Sequence, residues 1–186
     1  MLGLNKRKKI RKRLPARIKQ PLITPERPND TWSIDFMHDT LMNGRKFRVL
    51  NIIDDFNREA LRTDPHFSIS SKLVIKTLNR VVLERGAPKT IRMDNGPEFI
   101  SYALSEWAAE KGIKLMFIQP GRPMQNGYIE RFNRSFREEV LDANLFESIH
   151  QARELSDEFL EDYNQHRPHE SLGNLSPINF KLKNCG

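Results

Sequence analysis

Asp35, Asp94 and Glu130 are the side chains whose type and placement point to joint chemistry. Asp35 sits inside Trp32-Ser33-Ile34-Asp35-Phe36-Met37, a run apolar on both alternating faces, as a central strand should be. A carboxylate buried there without a partner is costly. It requires a cation, a hydrogen-bond network or a place near the sheet's open end. Asp94 follows the short strand Thr90–Met93 and precedes the turn signal Asn95-Gly96, so it falls where open α/β sheets bind ligands. Glu130 lies in a helical stretch where Ile129, Phe132, Phe136 and Val140 share one face, and Glu130, Asn133, Arg134 and Arg137 share another. Taken alone, that second face also reads as a solvated row of ion pairs.

Three carboxylates held within a few ångströms cannot all stay ionised without a cation between them. An all-carboxylate set suits Mg²⁺ or Mn²⁺, and the lack of a Cys/His cluster argues against zinc. Two such ions, roughly 3.5–4 Å apart, would support an in-line displacement at phosphorus. The expected chemistry is therefore phosphodiester cleavage or transfer, with Arg134, Arg137 and Asn133 positioning phosphates.

The elements that must bring these acids together are legible in outline. Strands are expected over Thr31–Met37, Phe47–Ile53 and roughly Glu59–Thr63, with Asn43-Gly44 as a hairpin turn. Helical spacing then runs from Ser71 to Arg85, ended by Gly86. Strand Thr90–Met93, a helix from about Glu98 to Lys111 and strand Ile113–Ile118 follow. The Glu130 helix comes next, and a last helix begins at a Ser148/Gln151 capping box and reaches about Gln165. The order β-β-β-α-β-α-β-α-α predicts an α/β fold, a five-stranded mixed sheet with helices on both faces.

Composition narrows the partners. The 186 residues are 38% hydrophobic, enough for one domain with a real core. No apolar run reaches the roughly 18–20 residues of a membrane span, and the single cysteine, Cys185, allows no intrachain disulfide. An intracellular setting, cytoplasmic and nucleoid-associated, is the expectation. The chain is +7, yet residues 1–20 carry nine positive charges and no acid, so the rest sums to −2. Lys8, Lys9, Arg11, Lys12 and Arg13 form the dense centre of this arm, which favours nucleic acid over a membrane surface. Pro21, Pro25 and Pro28 space the arm from the fold as an extended linker. The resulting division is a basic arm and Pro-rich linker without fixed structure over 1–29, a core over 30–180 and a tail over 181–186.

Thirty-five residues separate Asp94 from Glu130, and the triad resembles the DD(35)E signature of retroviral-type integrases and transposases. Four strings resemble the second-reading-frame transposases of bacterial insertion sequences: Trp32-Ser33-Ile34-Asp35-Phe36, Asp94-Asn95-Gly96-Pro97-Glu98-Phe99, Gln119 through Gly127, and Tyr163 through Leu172. The resemblance covers about Arg27 to Phe180. It implies an RNase H-like fold, catalysis by Asp35, Asp94 and Glu130 with two bound metal ions, and DNA cleavage and strand transfer by a 3′-hydroxyl. It also implies a basic residue seven positions after the glutamate, here Arg137, and packing or DNA-backbone roles for Arg167 and His169. The partners it implies are DNA ends and target, and further copies of the chain. Full-length members carry a helix-turn-helix region ahead of the catalytic domain. This chain opens on the basic arm, which points to a catalytic domain from a longer or split protein, with a separately encoded helix-turn-helix subunit, or to a truncated remnant. The competing expectations are a nuclease on the same fold and a catalytically silent DNA-binding remnant.

Other polar residues have simpler readings. Asp54 and Asp55 fit a turn after a strand, Asp39 an exposed strand end. His166 and His169 lack a third zinc ligand nearby. Asn95 and Gly96 shape the turn presenting Asp94, Gly121 and Gly127 let the loop before Glu130 move, and Trp107 and Phe117 are expected in the core.

Overall fold

The computed structural model describes residues 25–119 and 126–185. Its strands are β1 (Thr31–Thr40), β2 (Lys46–Asp54), β3 (Ala60–His66), β4 (Thr90–Met93) and β5 (Lys114–Phe117). They form one sheet in the order β3-β2-β1-β4-β5. The first three pair antiparallel, as their short connections require, whereas β4 and β5 join parallel through helical crossovers. β1 is thus central. Its pleat sends Trp32, Ile34 and Phe36 to one face and Ser33, Asp35 and Met37 to the other.

Each face has its own core. Helices α1 (Ser71–Arg85) and α2 (Tyr102–Glu110) cover the first, burying Val74, Leu78, Val81, Leu104 and Trp107 against Trp32, Ile34, Ile52 and Ile91. Helices α3 (Gly127–Phe136) and α4 (Ile149–Gln165) cover the second, where Ile129, Phe132, Phe136, Phe159 and Tyr163 meet Met37, Val49 and Ile53. Phe132 stands at its centre, edge-on to Tyr163 and Phe159 at 5.0 and 6.0 Å. The caps follow the sequence. Ser70, Ser101 and Ser148 each accept the N–H three residues on, and Gly86 takes a φ of 86° beyond α1. Gln151 completes the α4 cap by accepting the Glu147 N–H at 2.8 Å.

Several details depart from the sequence reading. β3 runs through Pro65 to His66, which an edge strand tolerates because one side of its backbone has no ladder to serve. The Glu130 helix loosens into a π-helical turn at Arg137–Leu141. A fifth helix, α5 (Pro177–Cys185), extends past residue 180, and Lys181 pairs with the buried Glu59 at 3.1 Å. Asn29 already belongs to the fold: its N–H donates to Asp54 and its side chain joins the Trp32 indole to the Arg85 carbonyl. Phe117 does not join the core. Expected there, it is 38% exposed at the end of β5, an edge strand of the sheet. The basic arm from Lys8 to Arg13, Pro21 and the loop containing Gly121 lie outside the described residues.

Candidate active site

The sheet brings the strand acids together directly. β1 and β4 are parallel with Ser33 opposite Arg92, and carrying that register two residues further sets Asp94 beside Asp35. On the other side of β1, Asp35 lies opposite Asn51 of β2. α3 packs over these strands on the face to which Asp35 points, and delivers Glu130 and Asn133 from successive turns.

Asn133 closes the arrangement. Its side-chain N–H donates to Asp35 Oδ2 at 2.7 Å, while its carbonyl oxygen accepts from Asn51 at 2.8 Å. Asp35 Oδ1 accepts the N–H of Phe36 at 2.8 Å. The carboxylate is thus held by β1 and α3, with β2 bracing Asn133, and no cation is bonded to it among the described residues. Burial pushes its pKa up to about 6, and the charges of Asp94 and Glu130 add to the rise, against the hydrogen bonds from Phe36 and Asn133. Partial burial also raises Glu130, and Arg134 opposes it.

Asp94 is aimed by its own turn. The Gly96 N–H donates to Asp94 Oδ1 at 3.0 Å, and a Cβ at Gly96 would stand only 3.0 Å from that same oxygen. The turn is pinned from beneath. Phe99 stacks on Phe36 at 4.4 Å, and Arg48 lies over the Phe36 ring while pairing with Glu98. The segment Asp94–Phe99 is therefore fastened to β1 and β2 by an aromatic stack and an ion pair.

Among the described residues, no three His, Cys, Asp or Glu side chains are gathered closely enough to hold a metal ion. The donor set nevertheless fits a hard divalent ion. All three groups are carboxylates, two of them repel the third, and each oxygen that already accepts one hydrogen bond keeps a free lone pair.

The remaining predicted residues divide around α3. Arg134 is exposed at the surface beside Glu130. Arg137 is engaged with the protein itself, donating to the His38 carbonyl at 2.9 Å and lying 3.5 Å from Asp39. Arg167 pairs with Glu139 at 2.5 Å, and His169 meets the Tyr163 ring edge-on at 4.9 Å. His169 shares a cleft with Tyr128 and Arg131, on the flank of α3 away from Glu130 and Asn133. Asp54 and Asp55 are structural: Asp54 accepts from Asn29 and Phe56, and Asp55 pairs with Arg92 at 2.8 Å. Asn51 and the Arg48–Glu98 pair carry no sequence signal as site residues, because only the sheet register and the fold of the turn bring them to the acids.

Residues 25–123 match the integrase core domain family, and residues 111–177 match a second integrase core domain family. The chain is 43% identical over 165 residues to an uncharacterized 31.7 kDa protein of insertion element IS407 from Burkholderia multivorans, covering 89% of this chain and 60% of that protein. It is 41% identical over 179 residues to an uncharacterized 39.2 kDa protein of insertion element IS476 from Xanthomonas euvesicatoria, covering 96% and 51%. The chain thus spans between half and three-fifths of these relatives' lengths. The HTLV-2 integrase catalytic core domain in complex with magnesium has a similar fold, with a TM-score of 0.63, 21% identity and coverage of 83% and 97%. A chain of the simian T-cell lymphotropic virus intasome in complex with PP2A regulatory subunit B56 gamma gives a TM-score of 0.74 at 18% identity, covering 90% and 60%. The sheet order is that of an RNase H-like fold, and the chain belongs to the integrase core domain family.

Proposed function

We propose that this chain is the catalytic domain of a DNA transposase, which cuts element ends and joins a DNA 3′-hydroxyl to a target strand. The observation that carries this reading is the electrostatic meeting of Asp35, Asp94 and Glu130, with Asp35 held at about 6 by burial and by the two like charges. A buried acid surrounded by acids is unfavourable for folding and favourable for holding cations. Asp35, Asp94 and Glu130 would hold two divalent ions, Mg²⁺ or Mn²⁺, which supply activation of the attacking oxygen and charge neutralisation at the phosphate.

The protein groups do the positioning. Asn133 orients Asp35 and ties the helix carrying Glu130 to the strand carrying Asp35, so the two acids keep a fixed relation. Gly96 allows the Asp94 turn to close tightly. Arg134 stands exposed at the rim, where it would meet a phosphate, giving register more than sequence choice. Arg137, through its bonds to His38 and Asp39, braces the end of β1 while part of it stays open to solvent. The basic arm, with Lys8, Lys9, Arg11, Lys12 and Arg13, would add sequence-independent attraction to DNA. The whole protein would act as a multimer on paired DNA ends in the bacterial cytoplasm, with end recognition supplied by a helix-turn-helix region elsewhere in a longer chain or in a separate subunit. Among the described residues no helix is long and apolar enough to cross a membrane.

The test is a strand-transfer assay on a pre-cut DNA end with a free 3′-hydroxyl, in Mg²⁺ and in Mn²⁺. The parent should join it, and Glu130→Gln should lower joining by about 10³-fold or more, the scale of removing a group that acts only in the transition state. Cleavage without joining would favour a nuclease. Equal joining by parent and variant would remove Glu130 from the mechanism.

A further inference from the structure

The flank of α3 opposite the acids borders a cleft of about 570 Å³, lined by Arg58, Tyr128, Arg131, Tyr163, His169 and Glu170 among others. Arg58 is its most unusual wall. The residue lies in the turn after β2 at a φ of 63°, a left-handed conformation uncommon for a residue with a Cβ, and it is only 8% exposed. Its guanidinium stacks on the Tyr128 ring at 3.5 Å and donates to the Phe56 carbonyl at 3.3 Å. No carboxylate among the described residues forms an ion pair with it. Asp55, whose charge reaches it, is bonded to Arg92 instead. A buried cation left without an anion is costly to fold around unless something else supplies the negative charge.

Two further guanidiniums converge on the same place. Burial above all, together with the charges of Arg167, Arg58 and Arg131, lowers the His169 pKa to about 4. Arg167 already has Glu139, but Arg131 is exposed and forms no ion pair among the described residues. His169 is therefore neutral near pH 7, and its Nε2 is a buried atom with no hydrogen-bond partner among the described residues. Glu170 is the acid in the lining, so Arg58 and Arg131 leave the cleft at +1. The Tyr128 ring covers the Arg58 guanidinium, so solvent screens that charge poorly.

We propose that this cleft is a second phosphate site, taking a backbone phosphate of a DNA strand that crosses α3 from the acid cluster. Arg58 and Arg131 neutralise the phosphate, and the unpartnered His169 nitrogen, in its Nε2–H tautomer, donates a further hydrogen bond to a phosphate oxygen. A helix about 10 Å across separates the two flanks, which one strand spans in roughly three to four nucleotides at about 3.4 Å each. The identity of the ligand as a DNA strand rests on the strand-transfer reading, whereas its being an anion rests on Arg58.

The experiment follows the His169 ring signals by NMR in the full chain, with a chelator present. The probes are a thymidine trinucleotide with a free 5′-hydroxyl, its uncharged methylphosphonate analogue and orthophosphate. The charged trinucleotide should shift His169 and the methylphosphonate should not, with orthophosphate binding at least tenfold more weakly. Arg131→Ala should raise the trinucleotide Kd about tenfold, as expected for a charge-assisted contact. Arg58→Met keeps the stem packed on Tyr128 and should weaken binding similarly with an unchanged or higher Tm, since it removes an unneutralised buried charge. A signal that no probe moves, or Arg131→Ala binding as tightly as the parent, overturns the proposal. Orthophosphate binding as tightly as the trinucleotide overturns the assignment to a strand. Because metal is excluded, trinucleotide binding in a chain that never joins DNA would sink the strand-transfer reading and leave the phosphate site standing.

Discussion

Asp35 and Asp55 are both acids sunk into adjoining parts of one sheet, and burial pushes both up to about 6. Their surroundings differ in sign. Asp55 is fully buried and faces the guanidinium of Arg92, itself almost wholly buried, at 2.8 Å. Asp35 faces no cation among the described residues, and the charges there that act on it are those of Asp94 and Glu130. A shifted pKa alone would have marked both residues as functional. The partner decides. An acid matched by a cation closes its own account within the fold, whereas an acid ringed by acids leaves negative charge for something outside the protein to neutralise.

The contrast breaks if the two acids respond alike to substitution. Arg92→Met should give the largest change, about 3–5 kcal/mol of lost stability in denaturant unfolding, because it strands Asp55 as an unpaired buried charge. Asp35→Asn should act in the opposite direction. The folded pKa of Asp35 lies above its ordinary value, so the native state holds the proton more tightly than the unfolded chain does. Its contribution to stability is intact below about pH 4 and is lost as pH rises through about 6. The variant should therefore be more stable than the parent by about 2 kcal/mol at pH 8 without metal, and equal to it near pH 4. It should also be inactive in joining, the trade expected where stability and function compete. The smallest effect should come from Asn133→Ala. Losing its bonds to Asp35 and Asn51 should cost about 1 kcal/mol and raise the Asp35 pKa further, since the Asn133 hydrogen bond favours the ionised form.

How much of this was legible in the chain follows the same physics. Strand alternation and helix spacing are local, so Trp32–Met37, the α1 stripe and the Phe132/Phe136 face could be read directly. Asp35 and Asp94 were legible for a related reason: an acid within an apolar run, or at its end before a turn, breaks a pattern. Asn133 gave no such break. It sits among polar residues on one helix face and resembles Arg134 in pattern, and only the β1–β2 register that sets Asn51 opposite Asp35 reveals that it points inward. Phe117 misled because an apolar residue in a strand looks the same at an edge as at the centre. α5 carries too weak a stripe to separate from a tail, and its hold on the fold comes from a distant acid, Glu59. The Arg58 cleft was invisible for the most general reason. Its walls come from a turn, two helices and a late loop, and no spacing within the sequence unites them.

The central claim is that Asp35, Asp94 and Glu130 share one electrostatic centre open to divalent cations. It is tested most directly by following the Asp35 carboxyl carbon by NMR across pH in the parent, in Asp94→Asn and in Glu130→Gln, each with and without Mg²⁺. The parent midpoint should lie near 6 without metal, that of each variant should be lower, and the parent's should fall when Mg²⁺ is added. A midpoint that neither neutralising a neighbour nor adding Mg²⁺ displaces would contradict the claim.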